Sequence, residues 1–298
     1  LSTDGRKHTG WLTIRSTGDK YYLNPKNGGV RVENTEMEIG GKTYVFNKEG
    51  VASLKEYGRP DTEKPTGKRT IKNYLAGALQ PVGQALYVWG GGWNDATRKG
   101  VSPVWKQWYN SQDSSYDYEY HKFEREKGLD CSGFVGWAAY QVMHSKSGEG
   151  SGYTVVSGEV GESYRNNGWG TILSVADIKK SGYKMKAGDV GYNRSHTWIV
   201  LGQCADKSLV IIHSTPDAGC QISGTTTPGG SANSQAVALA RKYMSRYGGF
   251  NKYDYHTCAG TSNYFVNGNY FRWNSNTLSD PEGYRNKTAD QILAELFS

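Results

Sequence analysis

The sequence predicts an α+β chain: a larger domain with helices before and after an antiparallel sheet, preceded by a small all-β repeat domain. Three observations predict it. A self-similar stretch of Tyr-rich strands and turn glycines fills residues 1–56. Apolar residues recur at helical spacing from Ile71 and again after Asp130. Two strand-length apolar runs, Thr197 to Gly202 and Ser208 to Ser214, flank a short polar turn.

In the first stretch Gly18, Lys20, Tyr22, Lys26 and Gly28 recur 22 residues later as Gly40, Lys42, Tyr44, Lys48 and Gly50, with Leu23 and Val45 in register. A period near twenty built this way marks stacked hairpins, each too small to fold alone. Gly10-Trp11 opens the first unit, and Val32-Glu33 stands at that place in the second. These residues resemble the cell-wall-binding, choline-binding type of repeat over about the first 55 positions. The resemblance implies aromatic pockets between neighbouring units for groups of teichoic acid or another wall polymer. A packed β appendage is the alternative, and since such arrays usually need three or more repeats, further units are expected upstream.

Residues 57–70, YGRPDTEKPTGKRT, hold two prolines, six charges and little to bury, so they read as a linker to the domain 71–298. Ile71, Leu75, Ala78, Leu79, Val82 and Leu86 then follow helical spacing, with Pro81 expected to split the helix. Tyr87 to Gly92 makes a sharp turn, and Trp93 to Leu129 shows no clean period, which predicts a long loop or lid. A helix is expected from Cys131 to about His144, where His144 would meet its carbonyl end, and another from Gln235 to Tyr247. Tyr264-Phe265-Val266, Asn267-Gly268 and Asn269-Tyr270-Phe271 spell a tight hairpin, and Thr288 with Gln291 a capping box.

The 39 Gly, 22 Tyr and 9 Trp with only 36% hydrophobic residues favour short strands and aromatic surfaces over a helical bundle, as in an extracellular, sugar-facing protein. A net charge of +7 suits polyanions in general, but the basic residues are scattered and match no nucleic-acid-reading motif, so no nucleic acid partner is expected. No apolar run approaches the roughly 18 residues of a membrane span. Without an initiating Met or a signal peptide ahead of Leu1, the sequence reads as a mature or trimmed chain. Cys204, Cys220 and Cys258 leave one disulfide open, and His256 with Cys258 and Cys220 lacks the spacing of a zinc site.

Cys131 opens an apolar helix, where the macrodipole favours an anion. A hairpin turning about Cys204 and Ala205 would set His196 directly opposite His213, close enough for one imidazole to orient the other. A slip of one residue would send one ring to the other face. The set suits a nucleophile, a base and an orienting group, with a thiolate–imidazolium pair expected: His196 takes the thiol proton and returns it to the leaving amine, and His213 fixes the tautomer.

The motifs Tyr87-Val88-Trp89-Gly90-Gly91, Leu129-Asp130-Cys131-Ser132-Gly133-Phe134-Val135, Lys186-Ala187-Gly188-Asp189-Val190, Ser195-His196 and Ile211-Ile212-His213-Ser214 resemble, in order, the NlpC family of papain-like cell-wall cysteine peptidases. The resemblance implies a papain-like fold, with Cys131 as nucleophile, His196 as base and His213 as third residue, and no metal or other cofactor. It implies that Tyr87, Asp130 and Ser132 gather the free amino terminus of a peptidoglycan stem peptide, and that the bond cut joins γ-D-glutamate to a diamino acid. The long 93–129 insertion and Thr197-Trp198 depart from the family pattern and would alter the groove. The expectation is a secreted peptidoglycan endopeptidase of the bacterial cell wall. An N-acetylmuramoyl-L-alanine amidase, an inactive wall-binding protein and, more distantly, an acyltransferase remain open.

Overall fold

A computed structural model describes residues 7–15, 17, 19–40, 42–55, 58–94, 98–143, 153–216, 218–250, 253, 255, 258 and 264–298. The chain divides into two compact units, Leu1–Tyr57 with Asn110–Asp113, and Gly58–Tyr109 with Ser114–Ser298.

The first unit carries two three-stranded antiparallel sheets: β1 (Gly10–Thr13), β2 (Lys20–Asn24) and β3 (Val30–Arg31), then β4 (Thr35–Ile39), β5 (Lys42–Phe46) and β6 (Ala52–Leu54). Lys20 and Tyr22 fall on β2, Lys42 and Tyr44 on β5, and Lys26, Gly28, Lys48 and Gly50 follow those strands, where Gly28 and Gly50 take the left-handed φ values of 60° and 75° that favour glycine; Gly40 precedes β5 and Gly18 lies outside the described residues. Trp11 pairs across the sheet with Tyr22, whereas Tyr44, the repeat of Tyr22, pairs with Met37. The second repeat therefore meets its tyrosine with Met37 and not with Glu33, because residues 40–41 join β4 to β5 where 14–19 join β1 to β2. The Trp11 ring serves both repeats, its centroid 5.1 Å from Tyr22 and 4.6 Å from Tyr44. Phe46, 2% exposed, stacks behind it at 6.4 Å.

The second unit is α+β. Its elements, with the last two residues of α2 counted in the first unit, are α1 (Ile71–Leu79), α2 (Pro103–Ser111), α3 (Cys131–Met143), α4 (Val160–Asn166), β7 (Gly170–Leu173), α5 (Val175–Lys180), β8 (Val190–Tyr192), β9 (Thr197–Gln203), β10 (Leu209–Thr215), β11 (Gly219–Gly224), α6 (Gln235–Met244), β12 (Asn269–Trp273) and α7 (Ala289–Leu296). The strands form one antiparallel sheet in the order β11-β10-β9-β8-β12-β7. Both faces are covered, so β9 and β10 alternate two apolar sets. Ile199, Leu201, Val210 and Ile212 join the larger core around α3, and Trp198, Val200, Leu209 and Ile211 join a smaller core with Tyr264, Phe265 and Tyr270. Every residue of α3 is buried, between α1 and the strands β9 and β10. A helix apolar on all sides needs such a central place.

Several expectations change. The 93–129 stretch is not structureless: α2 lies within it, followed by 3-10 turns at Tyr118–His121 and Arg125–Lys127. Trp105 of α2 packs edge-on against Trp137 of α3, centroids 5.7 Å apart, and that burial holds the helix down. From Gly58 onward the expected linker is docked on the second unit, because its polar groups satisfy exposed backbone. Arg59 donates to the carbonyls of Leu79 and Val82, and Thr66 N–H donates to Asn73 Oδ1. Tyr264–Val266 is not a strand: β12 pairs instead with β7 and β8, and Tyr264 offers its carbonyl to the Tyr270 hydroxyl at 2.8 Å.

The β9–β10 register also differs from the expected one. Leu209 faces Gln203 and Val210 faces Gly202, then Ile211 faces Val200 and Ile212 faces Ile199, so Leu201 is an extra residue in a β-bulge. Continuing that register sets His213 opposite Trp198, and His196 lies one residue ahead of β9. The α1 helix stops before Pro81, α6 stops at Met244, and Thr288 with Gln291 forms the capping box that starts α7. Among the described residues no helix is long and apolar enough to cross a membrane. All four cysteines are free thiols. His144 and His256 lie outside the described residues.

Candidate active site

The site begins with the way α3 starts. Asp130 caps the helix: its Oδ1 accepts from Gly133 N–H at 2.6 Å and from the Ser132 hydroxyl at 2.8 Å. Its Oδ2 accepts from Gly90 N–H and from the Trp93 indole, each at 3.1 Å. A carboxylate offers about four acceptor directions, and all four are taken by protein donors. Burial raises the Asp130 pKa from the ordinary carboxylate value, and these four hydrogen bonds oppose the rise. Asp130 thus has no acceptor direction left over for a further group.

The turn Tyr87–Gly92 lies against the first turn of α3 at backbone distance. Asp130 N–H donates to Gly91 O at 3.0 Å, and a Cβ placed on Gly133 would stand 2.0 Å from that same oxygen. The adjacent glycines of both motifs follow from this close approach. Strand β10 is tied in from the other side, where Ser214 Oγ donates to Leu129 O at 2.7 Å.

Cys131 is thereby fixed as the first residue of α3, 8% exposed, on the wall of a cavity of about 610 Å³. Tyr87, Asp130 and Ser132 line the same cavity, with the aromatic rings of Trp89, Trp93 and Phe123. Burial, and then the Asp130 charge, push the Cys131 thiol up to about 12, while N–H groups of Thr197, Ser132 and Cys131 itself favour the thiolate. On balance these forces favour the thiol over the expected thiolate–imidazolium pair. Burial, with Cys131 and Asp130 close by, holds the Tyr87 hydroxyl well above the ordinary phenol value, and it stays a neutral donor.

The two histidines meet. His196 Nε2 lies 2.9 Å from His213 Nδ1, and the rings stand edge to face with centroids 5.1 Å apart. His213 is fully buried and continues through Nε2 to Ser223 Oγ at 2.8 Å, with Gln221 Nε2 at 3.2 Å and Cys258 Sγ at 3.8 Å. The half-buried His196 stacks on Trp198 and sits on a turn in which Asn193 Oδ1 accepts from both Ser195 N–H and His196 N–H at 2.9 Å. The His196 ring thus makes one hydrogen bond to His213, while the next residue, Thr197, brings its N–H to the Cys131 sulfur.

The six residues singled out in the sequence therefore gather as two linked groups: Tyr87, Asp130, Cys131 and Ser132 around the cavity, and His196 with His213 beside it. Sequence reasoning missed Ser223 and Gln221. They alternate on β11, where Gln221 faces His213 in the β10–β11 register, but that strand carried no signal separating it from the preceding turn. Asp189, quoted as part of a motif, is engaged elsewhere by Arg272 in a two-pronged ion pair at 2.8 and 2.6 Å. Among the described residues no three His, Cys, Asp or Glu gather as a metal site.

No family model and no curated protein matches the chain. Among solved structures it is similar to the choline binding domain of Spr1274 in Streptococcus pneumoniae, at 36% identity over 18% of this chain and 77% of that one, with a TM-score of 0.16. In extent the likeness fits the repeat part, and at that TM-score it carries no argument about fold.

Proposed function

We propose that this protein is a secreted cysteine endopeptidase of the bacterial cell wall, with a papain-like second unit that cuts peptidoglycan stem peptides between γ-D-glutamate and the diamino acid. The observation that supports the reading is a thiol on a cavity wall at the first turn of a buried helix, beside a His196–His213–Ser223 hydrogen-bonded chain. The chemistry follows from the order of that chain. For His196 to act as base through Nδ1, its Nε2–H must donate to His213 Nδ1, and His213 then carries its own proton on Nε2, where Ser223 Oγ accepts. The Cys131 proton passes to His196 as sulfur attacks the scissile carbonyl. His196 then gives that proton to the departing amine as the C–N bond breaks. Water, deprotonated by the same imidazole, hydrolyses the thioester and restores the thiol.

Because burial favours the thiol, proton transfer and attack are coupled, and His213 shares the positive charge that develops on His196. The first unit, with its Trp11, Tyr22 and Tyr44 rings, would hold the enzyme on teichoic acid or another wall polymer. Digestion of purified muropeptides by wild type and by Cys131→Ala, with mass analysis of the products, tests the reading. Release of peptides beginning with the diamino acid by wild type alone is the expected result. Loss of the whole stem peptide from muramic acid would assign an amidase instead, and equal activity of both proteins would exclude the mechanism.

A further inference from the structure

The cavity carries charge that the proposed chemistry does not use. Of its lining residues three are ionisable to a full charge at neutral pH: Asp130, Arg125 and Arg194. Asp130 has spent its acceptor directions on Gly90, Trp93, Ser132 and Gly133. The two arginines have spent nothing comparable. Among the described residues neither guanidinium makes an ion pair, although Arg125 lies over the Phe123 ring at 5.8 Å. They come from different segments: Arg125 from the 93–129 insertion, alongside Gly90, and Arg194 from the turn held by Asn193 just ahead of His196. The rest of the lining includes apolar and hydroxyl side chains, with Trp89 50% and Phe123 63% exposed, so a ligand there would have its apolar atoms covered and, among the described residues, find its only unspent charges positive.

We propose that Arg125 and Arg194 form an anion-selecting rim, so that the preferred ligand of this cavity is a peptide with a free carboxylate and its carboxamide counterpart is a poorer one. The inference rests on the endopeptidase reading for the kind of peptide, but its charge preference is a property of binding. A guanidinium offers a planar fork that matches a carboxylate in two parallel hydrogen bonds, which a neutral amide cannot reproduce. Both side chains are exposed, so the preference is modest and depends on salt.

The test uses the full chain as Cys131→Ala and two synthetic peptides, L-Ala-γ-D-Glu-L-Lys-amide with the D-Glu α-carboxylate free and the same peptide with that carboxylate amidated, so that the Lys carboxyl is blocked in both. Titration calorimetry is expected to give tighter binding of the carboxylate form, on the order of fivefold at low salt, shrinking in concentrated salt. Arg125→Gln/Arg194→Gln should level the two peptides, while Arg125→Lys/Arg194→Lys should keep part of the difference. Equal affinity in the parent, a preference that survives the double Gln change, or no binding of either peptide overturns the proposal. Turnover is measured separately on wild type. A binding preference without cleavage leaves the rim standing and removes the endopeptidase reading, whereas indifferent binding with cleavage does the reverse.

Discussion

His196 reaches His213 across a diagonal of the β9–β10 hairpin: Nε2 and Nδ1 are 2.9 Å apart although the register continues to place Trp198 opposite His213. Diagonal neighbours on one face lie within reach of aromatic-sized side chains. The extra residue Leu201 decides that they share a face. Without it the register of Leu209 with Gln203 would run on to pair His213 with Ile199, and His196, three residues away, would point to the opposite side of the sheet. The bulge therefore sets the parity on which the pair depends.

That contact makes the third residue testable. His213→Ala leaves His196 without its acceptor and frees the wrong tautomer, and kcat should fall by about 10²–10⁴ with little change in KM. His213→Asn restores an acceptor oxygen near Nδ1 and should retain more activity than the Ala variant. Equal loss in both would show that the interaction does not orient the base.

A second prediction concerns alkaline pH. Burial pushes the thiols of Cys131, Cys220 and Cys258 up to about 12, from an ordinary value of 9.0. Between those values the native chain holds protons that the unfolded chain has released, so the slope of stability against pH is negative there. The urea midpoint should fall as pH rises from 9 toward 12, and alkylation of Cys131 by iodoacetamide should keep accelerating above pH 9. A flat midpoint with a plateau in labelling near pH 7 would mean a resting thiolate.

Gly133→Ala should destabilise the second unit by about 1–3 kcal/mol, since its methyl would overlap the Gly91 carbonyl at 2.0 Å and backbone must shift to relieve it. Thermal denaturation monitored by circular dichroism reads this directly. Alanine at exposed Gly100, where nothing lies within 4 Å, meets no such clash and serves as the control, its own cost confined to a φ of 72°.

In the first unit, Trp11→Ala removes the ring shared by Tyr22 and Tyr44, and retention on purified cell walls should drop while muropeptide turnover by the second unit is unchanged. Unaltered retention would reduce the repeats to a packed appendage.

Much of this arrangement was legible in the residues because it rests on local rules. An apolar run opening at Cys131, Thr288 three residues ahead of Gln291, and glycines spaced 22 apart each specify their own surroundings. What escaped depends on partners distant in sequence. Trp105, Trp108 and Tyr109 have helical spacing, but three residues among many aromatics are outweighed by noise, and only Trp137 explains the burial of Trp105. The bulge at Leu201 belongs to two strands together, so neither strand alone announces it. The sequence marks Asp130 only as a substrate-gathering residue, and neither its cap on α3 nor the donation of Gly90 and Trp93 to its second oxygen is read from it.

The four free thiols bear on how the molecule can be handled. No covalent cross-link contributes to the folded state, so dithiothreitol, which rescues a catalytic sulfur from sulfenic acid or a mixed disulfide, removes nothing that the architecture relies on. Inactivation that stops at the sulfenic acid or a mixed disulfide should accordingly be reversible by mild reductant with no refolding step.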